Sequence, residues 1–76
     1  MEELLAILSE IRPDVDFEIE DQLITGRVLD SFDIMAIVAA LDDKYDIRIK
    51  PAELTPEQFN SAEAIYDLVN KLMDED

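Results

Sequence analysis

Asp30-Ser31-Phe32-Asp33-Ile34-Met35-Ala36-Ile37-Val38-Ala39-Ala40-Leu41-Asp42-Asp43-Lys44-Tyr45 is the stretch whose pattern decides the fold. Ile34, Ile37, Val38, Leu41 and Tyr45 fall at i, i+3, i+4, i+7 and i+11, the spacing of one helix face, and predict a helix over 31–45. Asp30 stands just before that run, where a short acceptor side chain can take the first free amides. Asp33, three residues later, supplies the reciprocal half of a capping box.

The same reasoning extends outward. Leu4, Leu5, Leu8 and Ile11 recur at helical spacing behind Glu2 and Glu3, whose charges suit the positive end of a helix dipole, and Pro13 stops the pattern. A first helix over about 2–11 follows. After Ile47 and Ile49, Pro51 is expected to break any regular element. Thr55-Pro56-Glu57-Gln58 reads as a start signal, with a threonine cap, proline at the first helical position and glutamine reaching back, for a short helix ending near Phe59. Asn60 with Glu63 repeats the capping logic, and Ile65, Leu68, Val69 and Leu72 give a fourth apolar stripe. Asp74-Glu75-Asp76 is expected to be a frayed, solvated tail.

Between the first two helices, Asp14-Val15-Asp16-Phe17-Glu18-Ile19-Glu20-Asp21 alternates acidic and apolar residues. Periodicity alone suggests a strand, but so short a helical chain offers it no partner. The expectation is an extended loop with Val15, Phe17 and Ile19 turned into the core, continuing through Leu23 and Ile24 to the only glycine, Gly26. The chain thus reads as one all-α domain over 1–76, a four-helix bundle of three main helices and a short one with a long first loop.

Seventy-six residues support one modest core, since a chain of this size buries only about 60% of its unfolded surface. No cysteine is present to staple it, so packing and helix caps must hold it. Twenty acidic residues against six basic ones give a net charge of −14. That field disfavours nucleic acid and anionic membranes as partners and favours basic protein surfaces; it also favours a monomer. The opening Met1-Glu2-Glu3-Leu4-Leu5 resembles no export signal, and a cytoplasmic location is expected.

With no histidine and no cysteine, the commonest general base, the thiol nucleophile and the usual transition-metal ligands are missing, so no catalytic residue is assigned and no enzymatic activity is expected. Asp14, Asp16 and Glu18 alternate like the start of a calcium loop, but Ile19 stands at its glycine turn and Thr25 at its closing glutamate, so no metal site is expected. Ser31 is the exception among the polar residues. A hydroxyl at a helix start lies beside unpaired amides and the positive dipole end, where a phosphate ester gains favourable electrostatics. Taken alone, an Asp-Ser pair there is commonly nothing more than a cap.

Larger context changes that balance. The helix-one pattern ending at Pro13, the approach Leu23-Ile24-Thr25-Gly26-Arg27-Val28-Leu29, the Asp30-Ser31-Phe32-Asp33 core, the stretch 37–47 and the closing Asn60-Ser61-Ala62-Glu63-Ala64-Ile65-Tyr66-Asp67-Leu68-Val69 together resemble the acyl carrier protein family. The resemblance implies that Ser31, flanked by Asp30, Phe32 and Asp33, receives 4′-phosphopantetheine covalently from coenzyme A. A separate phosphopantetheinyl transferase would supply magnesium and the base, and the arm would carry acyl units as thioesters for lipid or secondary-metabolite synthesis. It further implies that Asp33, Met35, Ala36, Ala39, Asp42 and Asp43 face partner enzymes with basic surfaces. Phe32 stands where leucine is usual, and Ala36 and Lys44 replace residues often acidic in fatty acid carriers. The segment from Pro51 to Phe59, with Glu53-Leu54-Thr55-Pro56-Glu57-Gln58-Phe59, is similar to freestanding D-alanyl and aminoacyl carriers loaded by an adenylating ligase, which is the alternative within the class. The alternative from another class is an unmodified acidic adaptor.

One consequence follows from charge alone. Self-repulsion among the carboxylates weakens the fold and salt screens it, so thermal denaturation followed at increasing sodium chloride should give a rising melting temperature. A midpoint that stays flat or falls contradicts this account.

Overall fold

Four stretches wind into α-helices in the computed structural model, which describes residues 2–74: α1 (Glu2–Ile11), α2 (Ser31–Tyr45), α3 (Pro56–Phe59) and α4 (Ala62–Asp74). A single 3₁₀ turn, Pro51–Glu53, precedes α3, and no strand occurs among the described residues. The expected all-α bundle and its helix spans are present. Glu75 and Asp76 lie outside the described residues, while Asp74 belongs to α4.

Packing follows the apolar stripes. Leu4 and Leu8 of α1, Ile37 and Leu41 of α2, and Ile65, Leu68 and Val69 of α4 are buried in one core, completed by Phe59 of α3. α1 lies on α2, and α4 touches α1, α2 and α3. Burying each such side chain stabilises the fold by about 1.5–3 kcal/mol before chain entropy is counted. No helix among the described residues is long and apolar enough to cross a membrane.

The first loop departs from the expected extended course. Phe17 is buried and Val15 packs against the core, but Ile19 is 78% exposed. Alternation sends every second side chain inward only along an extended backbone. Here the Asp16 carbonyl accepts from Ile19 N–H at 3.3 Å and Glu20 N–H at 3.0 Å, and the Asp16 carboxylate accepts from Glu18 N–H at 3.2 Å. The chain therefore coils at Asp16, and Ile19 is carried outward.

Beyond that turn the loop is pinned by polar bonds. Gly26 N–H donates to the Gln22 carbonyl at 2.7 Å, and a Cβ on Gly26 would stand 2.6 Å from the same oxygen, so this close pass requires glycine. Leu23 N–H donates to the Asn60 carbonyl at 2.9 Å, and the Asn60 Oδ1 accepts from Ile24 N–H at 3.0 Å and Thr25 N–H at 3.1 Å. Asn60 thus serves the loop and not the cap of α4. That cap is Ser61, whose Oγ accepts from Ala64 N–H at 3.0 Å.

Two further local readings are corrected. Pro51 opens a turn where a break was expected, because its fixed φ suits a first helical position, and the Glu53 carboxylate accepts from Lys50 N–H at 3.1 Å. At α3, Pro56 does occupy the first position, but Thr55 makes no side-chain cap bond; its carbonyl accepts from Gln58 and Phe59 N–H, each at 3.0 Å. A helix this short is held chiefly by the burial of Phe59, which is 1% exposed.

Asn60→Ala removes the acceptor for two loop amides and should cost about 1–2 kcal/mol in urea denaturation, whereas Asn60→Asp, which keeps an acceptor, should cost less. Equal losses for the two variants would show that the carboxamide bonds contribute nothing specific.

Candidate functional site

The first turn of α2 is a reciprocally closed cap. Asp30 has extended backbone angles, φ −104° and ψ −177°, and its Oδ1 accepts from Asp33 N–H at 2.9 Å. Asp33 Oδ2 accepts in return from Asp30 N–H at 3.1 Å. The Asp30 carbonyl accepts from Ile34 N–H at 3.0 Å, which starts the helical ladder. Just upstream, buried Leu29 donates its N–H to the Leu23 carbonyl at 2.9 Å, so the chain enters the cap from a fixed point.

Ser31 holds the first helical position and is exposed. The cap bonds run between Asp30 and Asp33 and pass it by. Among the described residues, the N–H groups of Ser31 and Phe32 have no backbone acceptor, so both point of necessity to solvent or to a ligand at the positive dipole end.

Arg12, directly after α1, closes the site from below. Its Nε and Nη2 donate to the two oxygens of Asp14, each at 2.9 Å, while Nη1 donates to the Val28 carbonyl at 3.2 Å and to Asp33 Oδ2. Nothing in the periodic pattern singled out this arginine. The only hint in the sequence is a cation at the end of α1 preceding an acidic loop. Asp33 is held below the usual carboxylate range, first by the Asp30 N–H and then by Arg12, with burial opposing. The Asp14 carboxyl is lowered by Arg12, and the guanidinium itself is raised by Asp14 and then Asp33.

The expected partner face divides. Met35, Ala36, Ala39 and Asp43 are exposed on α2, as is Phe32 at 83%. Phe32, Met35, Ala36 and Ala39 fall at i, i+3, i+4 and i+7, a second apolar stripe offset from the buried one. Asp33 is not outward-facing: its side chain is 15% exposed and committed to the cap and Arg12. Asp42 is half-buried, with Oδ1 accepting from Ile49 N–H at 2.9 Å and its carbonyl accepting from Asp46 and Ile47. Asp33 thus serves a donor at the start of α2, and Asp42 serves one in the segment that follows the helix. Beside Met35 and Ala39, a groove of about 320 Å³ runs between α2 and the segment Ile49, Pro51 and Leu54.

No group of three or more His, Cys, Asp or Glu side chains among the described residues is placed to hold a metal ion. No family model matches the sequence, and no curated protein is significantly similar to it.

Because Asp33 has a depressed native pKa, the stability it contributes is present above the ordinary aspartate value of about 4 and is lost as the pH falls through the native value. Urea denaturation of wild type and Asp33→Asn should therefore show a full stability gap at neutral pH that closes below about pH 4. A gap constant into strong acid contradicts the ionised role of Asp33.

Proposed function

We propose that the protein is a freestanding carrier whose Ser31 is esterified with 4′-phosphopantetheine from coenzyme A, and whose arm presents acyl or aminoacyl units to partner enzymes. The observation that carries this reading is the exposed Ser31 at the first position of a reciprocally capped helix, beside two unpartnered amides. The resemblance of 23–33, 37–47 and 60–69 to acyl carrier proteins supports it.

The residues fit such a group. The open amides of Ser31 and Phe32 and the dipole's positive end would favour a phosphodiester on Ser31 Oγ. Of the two aspartates that flank Ser31, Asp33 is offset by Arg12. In the transfer, Ser31 Oγ forms a bond to the phosphorus that bears the pantetheine arm, the pyrophosphate linkage of coenzyme A breaks, and adenosine 3′,5′-bisphosphate leaves. The hydroxyl proton passes to a base on the transferase. When attached, the group supplies a terminal thiol that holds cargo as a thioester.

This chain's residues contribute presentation and recognition. The capped turn keeps the esterified position outside the core, and the Phe32–Ala39 stripe with exposed Asp43 offers partners an apolar contact beside a negative charge. Partners with basic surfaces meet a chain of net charge −14.

Incubation with a broad-specificity phosphopantetheinyl transferase, magnesium and coenzyme A, read by intact mass, should add one phosphopantetheinyl group to wild type and none to Ser31→Ala. No addition to wild type overturns the carrier reading in favour of an unmodified acidic adaptor. Loading of the modified protein by acyl or D-alanyl ligases then separates the cargoes.

A further inference from the structure

We infer that Arg12 is a positioning residue for the modification of Ser31, fixing the first turn of α2 against the end of α1 and offsetting the carboxylate that flanks the acceptor hydroxyl. This rests on the carrier reading and extends it to a residue distant in sequence from the modified serine.

Three observations support the assignment. First, the guanidinium spans three separate stretches of chain: Asp14 beyond α1, the Val28 carbonyl on the approach to the cap, and Asp33 within the first turn. Second, the contact is shielded, with the Arg12 and Asp33 side chains 28% and 15% exposed, so solvent and salt weaken it less than a surface pair. Third, Asp33 Oδ2 is the same oxygen that accepts the Asp30 N–H. Movement of Arg12 is therefore transmitted to the bond that closes the cap around Ser31.

The chemistry requires a fork. Nε and Nη2 clasp Asp14 while Nη1 reaches in another direction to Val28 and Asp33, a division of donors that a lysine ammonium cannot reproduce. Without the guanidinium, Asp33 keeps its charge beside a hydroxyl that must accept an anionic phosphoryl group. Asp30, the residue before Ser31, carries a second carboxylate that adds to that repulsion.

The test compares wild type, Arg12→Gln, Arg12→Lys, Asp33→Asn and the Arg12→Gln/Asp33→Asn double variant in two measurements. One is transferase kinetics with coenzyme A; the other is amide hydrogen exchange of the unmodified proteins. Arg12→Gln should lower kcat at saturating carrier about tenfold and speed exchange at Asp30, Asp33 and Ile34 relative to the α4 amides. Arg12→Lys should fall between it and wild type, and the double variant should be no slower than the worse single variant. Wild-type loading matched by Arg12→Gln, a fully wild-type rate in Arg12→Lys, or effects of Arg12→Gln and Asp33→Asn that simply add, each overturns the inference while leaving the carrier reading intact. Should Arg12→Gln fail to fold, Arg12→Lys and Asp33→Asn still decide it. Absence of loading in wild type overturns the carrier reading and this inference with it.

Discussion

A single carboxylate, that of Asp33, joins the start of α2 to the end of α1. It accepts from the Asp30 N–H and from Arg12, while its own backbone N–H returns a bond to Asp30. A helix start leaves several donors unmet, and burying one without a partner is costly. The sequence resolves that cost with aspartates in place of bulk, which leaves Ser31 between them with an open side. An exposed hydroxyl on a rigid first turn is the geometric outcome of satisfying the neighbours of Ser31 and not Ser31 itself.

The small core sets the conditions for this arrangement. Thirteen hydrophobic residues among those described form the buried cluster, drawn from every helix and from the loops at Phe17, Leu23, Leu29 and Ile49. The loop members matter because they anchor backbone that has no regular ladder. Leu29 fixes the residue before the cap, and Ile49 brings its N–H to Asp42. Asp46 ends α2 in the left-handed region at φ 53°, a position more often given to glycine, and its N–H returns to the Asp42 carbonyl. Several acids of this highly charged chain are thus structural acceptors, and its negative field is borne by the remainder.

How much of this was legible in the sequence depends on whether an interaction is local. Helix spans, the capping box at Asp30 and Asp33, and the placement of Ser31 at the first turn follow from periodicity and from spacings of three and four residues. Bonds that cross the chain left no periodic trace. The type and spacing of Asn60 suit a cap of α4; its carboxamide instead meets amides 35 and 36 residues away, and the neighbouring Ser61 takes the cap. Alternation points Ile19 to the core only on an extended backbone, whereas Asp16 curls the chain. The family resemblance implies an outward face for Asp33 and Asp42, but their carboxylates turn toward Arg12 and Ile49 N–H. Arg12 carries no periodic signal because its partners lie up to 21 residues along the chain.

The tie between Asn60 and residues 23–25 also orders events during synthesis. The segment that delivers the chain to Ser31 is pinned through Leu23 to a carbonyl that leaves the ribosome 37 residues later. The first two helices can therefore be complete while the approach to the serine is still unfastened, and loop closure over that span carries its own entropic cost. The approach to α2 therefore gains its last fastening only after the α3–α4 corner has emerged.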